Sequence, residues 1–570
     1  MTSQNWDHDV DVLIVGSGNG GMTAAVCAYE MGLKNTLVIE KSDKFGGTSA
    51  VSGGGIWIPH SHYAQDTGFK DSLEEAREYL RQTIPESSVE PALLDTYIMA
   101  GPEMLKFLHD RTRVRYEVLA HYPDYYTNLP GAKEGYRSHE PAAVDITELG
   151  DEEQHLQPGH QMMRFLDRIT LGQVEAQIML LQAPGWKSIV GRLLWDYVTD
   201  LRRRFKTTLH RRLMCGTAGI ARLRLSMMDR ELPLWRNTKL VELIQENGRV
   251  QGAIVDREGK RLRIKASRGV VLAAGGFEQN QAMREKYLPK PTSTAWTSGV
   301  AANTGDAISA GLAVGARFKL VDGAWWCTNM LVPGEPFPRL AIMEKSCPGA
   351  VTVNTKGKRV ANESQNYMAY MKEAFARHTP EHPSSPLYMV FDADFRKKYL
   401  VGPLMKSAFR PDFTFPKSWY EQGFLAKADT IEDLAKQMGI DPAGLAKTVA
   451  DMNIYAKTGK DDEFGRGDSA YDRYYGDPTV KPNPCLGPVR KAPFYAVRME
   501  LGDFGTHGGL DIDTNGQVMD ESGRPMPGLY AIGNSAAAIL PTYPGPGSTL
   551  GPAMTFGYLA ARHMSGANAA

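Results

Sequence analysis

The chain of 570 residues is poor in cysteine, with five in all. Cys27, Cys215, Cys327, Cys347 and Cys485 lie far apart and form no CxxC pair. That excludes a disulfide framework and a zinc site, and predicts buried reduced thiols of the kind expected in the cytoplasm. Long apolar runs are also missing. Nothing approaches the roughly 18 to 20 residues a spanning helix needs. The stretch Met1 to Asp9 has no basic region followed by an apolar one, so no leader is expected. There is no excess of either charge: 65 basic side chains face 65 acidic ones. A protein coated with nucleic acid is thereby disfavoured, although local patches are not. HExxH, GxSxG and paired metal-ligand spacings are absent, and no metal is expected. With 42% hydrophobic and 23% charged residues the composition is globular, and the length suggests two to four domains.

Glycine is abundant instead, at 57 residues and with no Gly-X-Y period. The β-branched run Val10–Val15 leads straight into Gly16-Ser17-Gly18-Asn19-Gly20-Gly21. An Ala-rich helical stretch follows, then Thr36–Ile39 and Glu40. This is the strand, glycine turn, helix, strand and acid of a dinucleotide site. Gly16 permits the turn, Gly18 lets backbone approach a pyrophosphate, and Gly21 lets helix and strand pack. Glu40 is placed to accept from a ribose. The following loop, from Lys41 through Gly47, Thr48 and Ser49 to Ser52, Gly53 and Gly54, is suited to lay backbone amides along a ribityl chain and a flavin edge. Two later segments, Val270–Gly276 with its Ala274-Gly275-Gly276 turn and Gly528–Asn534 with Gly533-Asn534, have the same strand-into-glycine form. Three returns to one sheet predict a chain-discontinuous, Rossmann-like α/β domain that binds FAD.

With the Gly16–Gly21 fingerprint, GGTSAVSGGG, VVLAAGGFEQN and GLYAIGN in place, the chain resembles the fumarate reductase/succinate dehydrogenase flavoprotein family. Within it the chain resembles the 3-ketosteroid Δ1-dehydrogenases. Three stretches carry this: Tyr122–Tyr126, Gly357–Tyr367 and Thr542–Gly551. The resemblance covers most of the chain. It implies an FAD domain with an inserted α+β substrate domain and the flavin between them. We place FAD-domain segments at 1–286 and 489–570, and the insertion at 287–488. The return is expected through the Pro/Gly-rich stretch 476–488 and Lys491–Ala496. Ser548 and Leu550 join the cofactor-binding set.

Desaturation beside a ketone requires a hydride acceptor, a base for the α-proton and a group that stabilises the carbonyl oxygen. The resemblance assigns the last role to the Tyr543 hydroxyl and the Gly547 amide. Tyr367 matches the proton-abstracting tyrosine, and Tyr125 the partner that stabilises its phenolate. Tyr370 and Tyr122, each three positions away, are the next candidates, because on a helix they would share a face with the first pair. Asn366 stands where the family often has proline. His507 is read as cofactor-facing and noncatalytic. Tyr471, Tyr474 and Tyr475 are read either as the pocket rim or as exposed loop aromatics.

Residues of about 160–215 fit the family least. Between Lys187 and Arg212 eight Lys/Arg stand against two Asp, beside tryptophans and aliphatics. Three readings are open: a helix in a membrane interface on the inner face of the cytoplasmic membrane, a subunit contact, and ordinary packing. The expected reaction is removal of the C1 hydride and C2 proton from a 3-ketosteroid or 3-ketosterol. An external acceptor, a quinone or a dye-like carrier, is expected because no cysteine pattern provides an internal Fe–S relay. A 3-ketosteroid Δ4-(5α)-dehydrogenase, a fumarate-reductase-like enzyme and a noncatalytic flavin scaffold are the rivals.

Overall fold

The computed structural model describes residues 5–181 and 183–566. The first four residues, part of the stretch read for a leader, lie outside them. Strand β1 (His8–Val15) is fully buried over Val12–Ile14, as a central parallel strand must be. It feeds α1 (Asn19–Glu30) and then β2 (Thr36–Ile39) and α2 (Gly47–Val51). The poorly matching segment forms α3 (Gln173–Leu181), α4 (Trp186–Thr199) and α5 (Leu201–Arg204). The chain then returns through α6 (Cys215–Met228), β3 (Leu234–Trp235), β4 (Thr238–Glu246), β5 (Arg249–Arg257) and β6 (Lys260–Leu272). These strands form one sheet in the order β3-β2-β1-β6-β5-β4. β1 is parallel to β2 and β6, with Val12 opposite Thr36 and Gly269. β4, β5 and β6 are antiparallel neighbours.

A second, antiparallel sheet follows. It is built from β7 (Ala324–Met330), β8 (Arg339–Leu340) and β9 (Ala350–Val353), then α7 (Tyr367–Ala376), β10 (Leu387–Phe391), β11 (Leu425–Ala428) and β12 (Phe494–Thr506). Its order is β8-β7-β12-β10-β9, with β11 also on β12. The run beginning near Lys491 was expected to rejoin the first sheet. It instead forms the 13-residue centre of the second, where β7, β10 and β11 all pair with it. The reason is burial: almost every residue of β12 is enclosed, so only a central position satisfies its backbone. The return comes with β13 (Gln517–Met519) and β14 (Pro525–Ala531), which pairs parallel to β6 through Val270 and Leu529. Helix α8 (Leu550–Ser565) then packs against α1. One continuous core joins the two sheets, and a smaller one lies behind β9, β10 and β11.

All five cysteines are buried and unpaired. No helix of the described residues is long and apolar enough to cross a membrane.

Candidate active site

A cavity of about 440 Å³ runs from the carboxyl ends of β1, β2 and β6 toward the second sheet. Its floor is the Gly16–Gly21 turn. Gly16 has φ of +109°, and a Cβ there would lie 2.3 Å from the Ala273 carbonyl oxygen, so only glycine fits. The turn opens α1, whose N-terminal amides and dipole favour a phosphate. The Glu40 carboxylate accepts from the Ser17 hydroxyl at 2.6 Å and amide at 3.2 Å, and from the Ser42 amide at 3.0 Å. The Ser49 hydroxyl accepts from the Asn19 amide, while the Thr48 hydroxyl accepts from Val300 and Asn303. Asn19 lines the cavity, and its buried Oδ1 has no hydrogen-bond partner among the described residues. A long, glycine-floored cleft with one anion-favouring end and a carboxylate beside it fits FAD.

At the other end three tyrosine rings meet. Tyr125, Tyr367 and Tyr543 lie with ring centroids 5.5 Å apart in every pairing. The Tyr125 hydroxyl donates to the Tyr367 oxygen at 3.1 Å. Burial, then the neighbouring Tyr122 and Tyr367, pushes Tyr125 well above the usual phenol range. Burial and Tyr543 do the same to Tyr367, opposed by the Tyr125 hydrogen bond. Tyr543 is raised by burial, against the Tyr367 and Thr549 hydroxyls and the Gly547 amide. Each tyrosine is held by its element. Tyr367 opens α7, where the Asn366 side chain caps the helix through the Ala369 amide at 2.9 Å. The Tyr125 amide donates to the Pro544 carbonyl at 2.8 Å, and the Tyr126 hydroxyl to the Thr542 carbonyl at 2.7 Å. The segment carrying Tyr125 thus clamps the loop carrying Tyr543. Tyr543 itself has φ of +59°, a costly conformation for an aromatic residue. Gly547 has φ of +100°, and a Cβ there would lie 2.4 Å from Ile56 Cα.

Beneath α7 a buried charge network fixes the strand-to-helix connection. Arg359 makes paired bonds to Glu363 and to Asp461, and Arg466 Nη1 reaches Glu363 at 3.3 Å. The Lys345 ammonium donates to the carbonyls of Glu363 and Gln365.

Most of the expected cofactor positions line the cleft: Gly16, Ser17, Gly18, Gly20, Gly21, Glu40, Lys41, Gly47, Thr48, Ser49, Ser52, Gly53, Gly54, Ala274, Gly275, Gly533, Asn534 and Leu550. The Lys41 ammonium is engaged with Asp306 and Thr304, each at 2.7 Å. Gly276 and Ser548 do not line it. A Cβ on Gly276 would strike Thr506, and the Ser548 hydroxyl turns back to the Gly545 carbonyl. Tyr370 also lies outside, with Lys345 over its ring at 4.8 Å. As an alternative base it is misplaced, because α7 begins at Tyr367 and its next turn faces the charge network. Tyr122 does line the cleft, but residues 122–125 are not helical, and its hydroxyl pairs with Tyr475 at 2.7 Å. Burial pushes Tyr122 up to about 12. Tyr471, Tyr474 and Tyr475 are enclosed around this pair, with Tyr471 against Tyr125 and Tyr474 stacked on Tyr122. His507 is buried beside Trp325 and does not line the cleft. Residues not anticipated include Asn303, Asp306, Trp325 and Phe504 in the wall, and Met162, Met163 and Gln173 from the poorly matching segment. The polar run Asn303–Asp306 carried a signal in its composition; Trp325 and Phe504 sit in ordinary apolar strands and carried none.

The chain matches the family described as FAD binding domain over residues 11–550. It is 38% identical to a 3-oxosteroid 1-dehydrogenase of Mycolicibacterium smegmatis, over 100% of this chain and 99% of that one. The solved 3-ketosteroid Δ1-dehydrogenase of Sterolibacterium denitrificans, in complex with 1,4-androstadiene-3,17-dione, is 44% identical with a TM-score of 0.95, covering 98% of this chain and 100% of its own. A 3-ketosteroid Δ4-(5α)-dehydrogenase of Rhodococcus jostii is 19% identical with a TM-score of 0.66, covering 99% of this chain and 98% of its own, a likeness of fold alone. The chain belongs to the FAD-binding flavoproteins and, within them, to the family of the 3-oxosteroid 1-dehydrogenases.

Proposed function

We propose that the protein introduces the C1–C2 double bond into 3-ketosteroids, with the three-tyrosine cluster as its chemical centre. The observation that carries this reading is the convergence of Tyr125, Tyr367 and Tyr543 at one end of the cofactor cleft. FAD, when bound, accepts the two electrons released with the C1 hydrogen. The protein's own groups do the rest. The Tyr543 hydroxyl and the Gly547 amide donate to the C3 oxygen, which gains charge as the α-proton leaves. Tyr367 takes the C2 proton. Its phenolate is stabilised by the hydrogen bond that Tyr125 donates at 3.1 Å. The apolar walls, including Phe504, Trp325 and Met163, exclude water and accept the steroid's rings.

We further propose that α4 and α5 touch a membrane surface. Trp195, Val198, Leu201 and Phe205 are exposed, Phe205 to 92%. Of the eight cations noted in the sequence, Arg192, Arg203, Arg211 and Arg212 are paired with carboxylates. The contact is therefore chiefly apolar, with Lys187, Arg202 and Lys206 left for anionic headgroups, since Arg204 donates to the Thr208 and Leu209 carbonyls.

The test is anaerobic addition of androst-4-ene-3,17-dione to the holoenzyme. The flavin absorbance is expected to bleach, and the product to be the 1,4-diene. Bleaching with a different double bond, or no bleaching at all, would overturn the assignment.

A further inference from the structure

A second cavity, of about 470 Å³, lies on the other side of α2 from the cofactor cleft. Lys44, Val51, Ser52, Gln157, His160 and Met163 line both spaces, so a single layer of chain separates them. Its far wall is formed by Arg203, Thr207, Leu209 and His210. That wall continues the exposed apolar surface of α4 and α5, where Leu201 and Phe205 face solvent.

Much of the lining is apolar, including Val51, Leu156, Met163, Leu213 and Met214. Most of its polar groups are already committed. His160 Nε2 donates to the Pro338 carbonyl, Arg164 to the Gly159 carbonyl, and Arg203 makes paired bonds to Glu153. Two donors are not. His210 is 6% exposed, and its Nδ1 accepts from the Arg212 amide at 3.2 Å. The ring proton therefore resides on Nε2, which has no partner. The His210 amide donates to the Arg168 carbonyl at 3.0 Å, which sets the two residues side by side. The Arg168 guanidinium makes no hydrogen bond or ion pair among the described residues. Apolar walls with the adjacent His210 and Arg168 donors suit a flat, uncharged molecule with acceptor oxygens. Of the other cations in the wall, Lys44 donates to the Gln154 carbonyl, Arg164 to the Gly159 carbonyl and Arg203 to Glu153, so most of the positive charge is already engaged.

We propose that this cavity is the electron-acceptor site and that it takes the head group of a lipid-soluble quinone, with His210 and Arg168 donating to its carbonyl oxygens. Entry is past Thr207 and Leu209, from the apolar face. The inference rests on the dehydrogenase reading above. Overall, the steroid loses two protons and two electrons, as one hydride and one proton, to form C=C. The quinone gains both, so that its two C=O groups become C–OH.

The test is calorimetric titration of the oxidised holoenzyme with ubiquinone-1, alone and saturated with 1,4-androstadiene-3,17-dione. Quinone binding is expected to persist with the steroid site filled. His210→Leu and Arg168→Gln should each weaken it roughly tenfold, the loss of one hydrogen bond. Thr207→Trp should block it sterically, while melting temperature and steroid-driven bleaching stay as in the wild type. Displacement of the quinone by the steroid, a second steroid bound per chain, or wild-type quinone affinity in all three variants would overturn the site. The titration involves no turnover, so it decides the site even if bleaching fails and the dehydrogenase reading with it.

Discussion

At the scale of the residue the proposed mechanism asks a poor base to be made adequate. Burial holds Tyr367 as a phenol at neutral pH, and only the Tyr125 hydrogen bond opposes it. Tyr367→Phe is expected to lower kcat roughly a thousandfold while steroid binding, read by difference spectra, is retained. In the proposed mechanism the reactive form is the phenolate, whose ordinary range lies near pH 10. Its folded-state value is raised further, so the phenolate fraction grows with pH throughout the neutral range. Log kcat/KM should therefore rise between pH 6 and pH 9, and a flat profile would remove Tyr367 from the role. Tyr543→Phe removes a donor to the developing oxyanion and should cost roughly a hundred- to a thousandfold in kcat. Gly547→Ala is a backbone problem before it is a chemical one. Its Cβ would collide with Ile56 Cα at 2.4 Å and sit in the left-handed region. We expect a loss of about 2 kcal/mol or more, read as a lower urea midpoint, together with weaker FAD retention.

At the scale of the element the site is a set of ends and connections. The first sheet was legible because Val10–Val15, Gly16–Gly21 and Glu40 combine local strand, turn and acid signals within a short span. Tyr367, Tyr125 and Tyr543 were legible only through motif resemblance, since nothing local says that residues hundreds of positions apart converge. The place of β12 was not legible. Its residues read equally well as a strand of either sheet, and long-range pairing decides between them. Tyr370 was ranked beside Tyr367 by helical spacing, but the start of α7 at Tyr367 turns the next residue of that face toward Lys345. The connection before α7 depends on its buried charges. Burial alone would raise the Glu363 carboxyl, but Arg359 and Arg466 outweigh it and hold it below the usual range. Glu363→Gln leaves the buried Arg466 without a carboxylate, while Arg359 keeps Asp461, and should cost about 3 kcal/mol. In the wild type this stabilisation is present above the unfolded carboxylate value, near pH 4, and is lost as pH falls through the lower folded value. Urea midpoints measured from pH 6 to pH 3 should fall for the wild type and change less steeply for the variant.

At the scale of the whole molecule the zero net charge conceals a segmented surface. The basic stretch is half neutralised internally, and α4 and α5 expose large apolar side chains beside a few unpaired cations. Trp195→Asp combined with Phe205→Asp should lower partition into anionic lipid vesicles more than roughly a hundredfold in a flotation assay. Raising the salt concentration from 0.1 to 0.5 M should change wild-type partition much less, because few unpaired cations are left to screen. Unchanged flotation of the double variant would assign the surface to a subunit contact or to solvent. The cofactor cleft has a further property. Its floor is made by residues 16–21, but its opposite wall and the oxyanion loop come from residues 532–553. During synthesis on the ribosome the glycine turn emerges early and waits for nearly the whole chain before the cleft can close around its ligand. FAD capture is therefore expected to follow the synthesis of residues 532–553, and nascent chains stopped before residue 532 should not retain flavin.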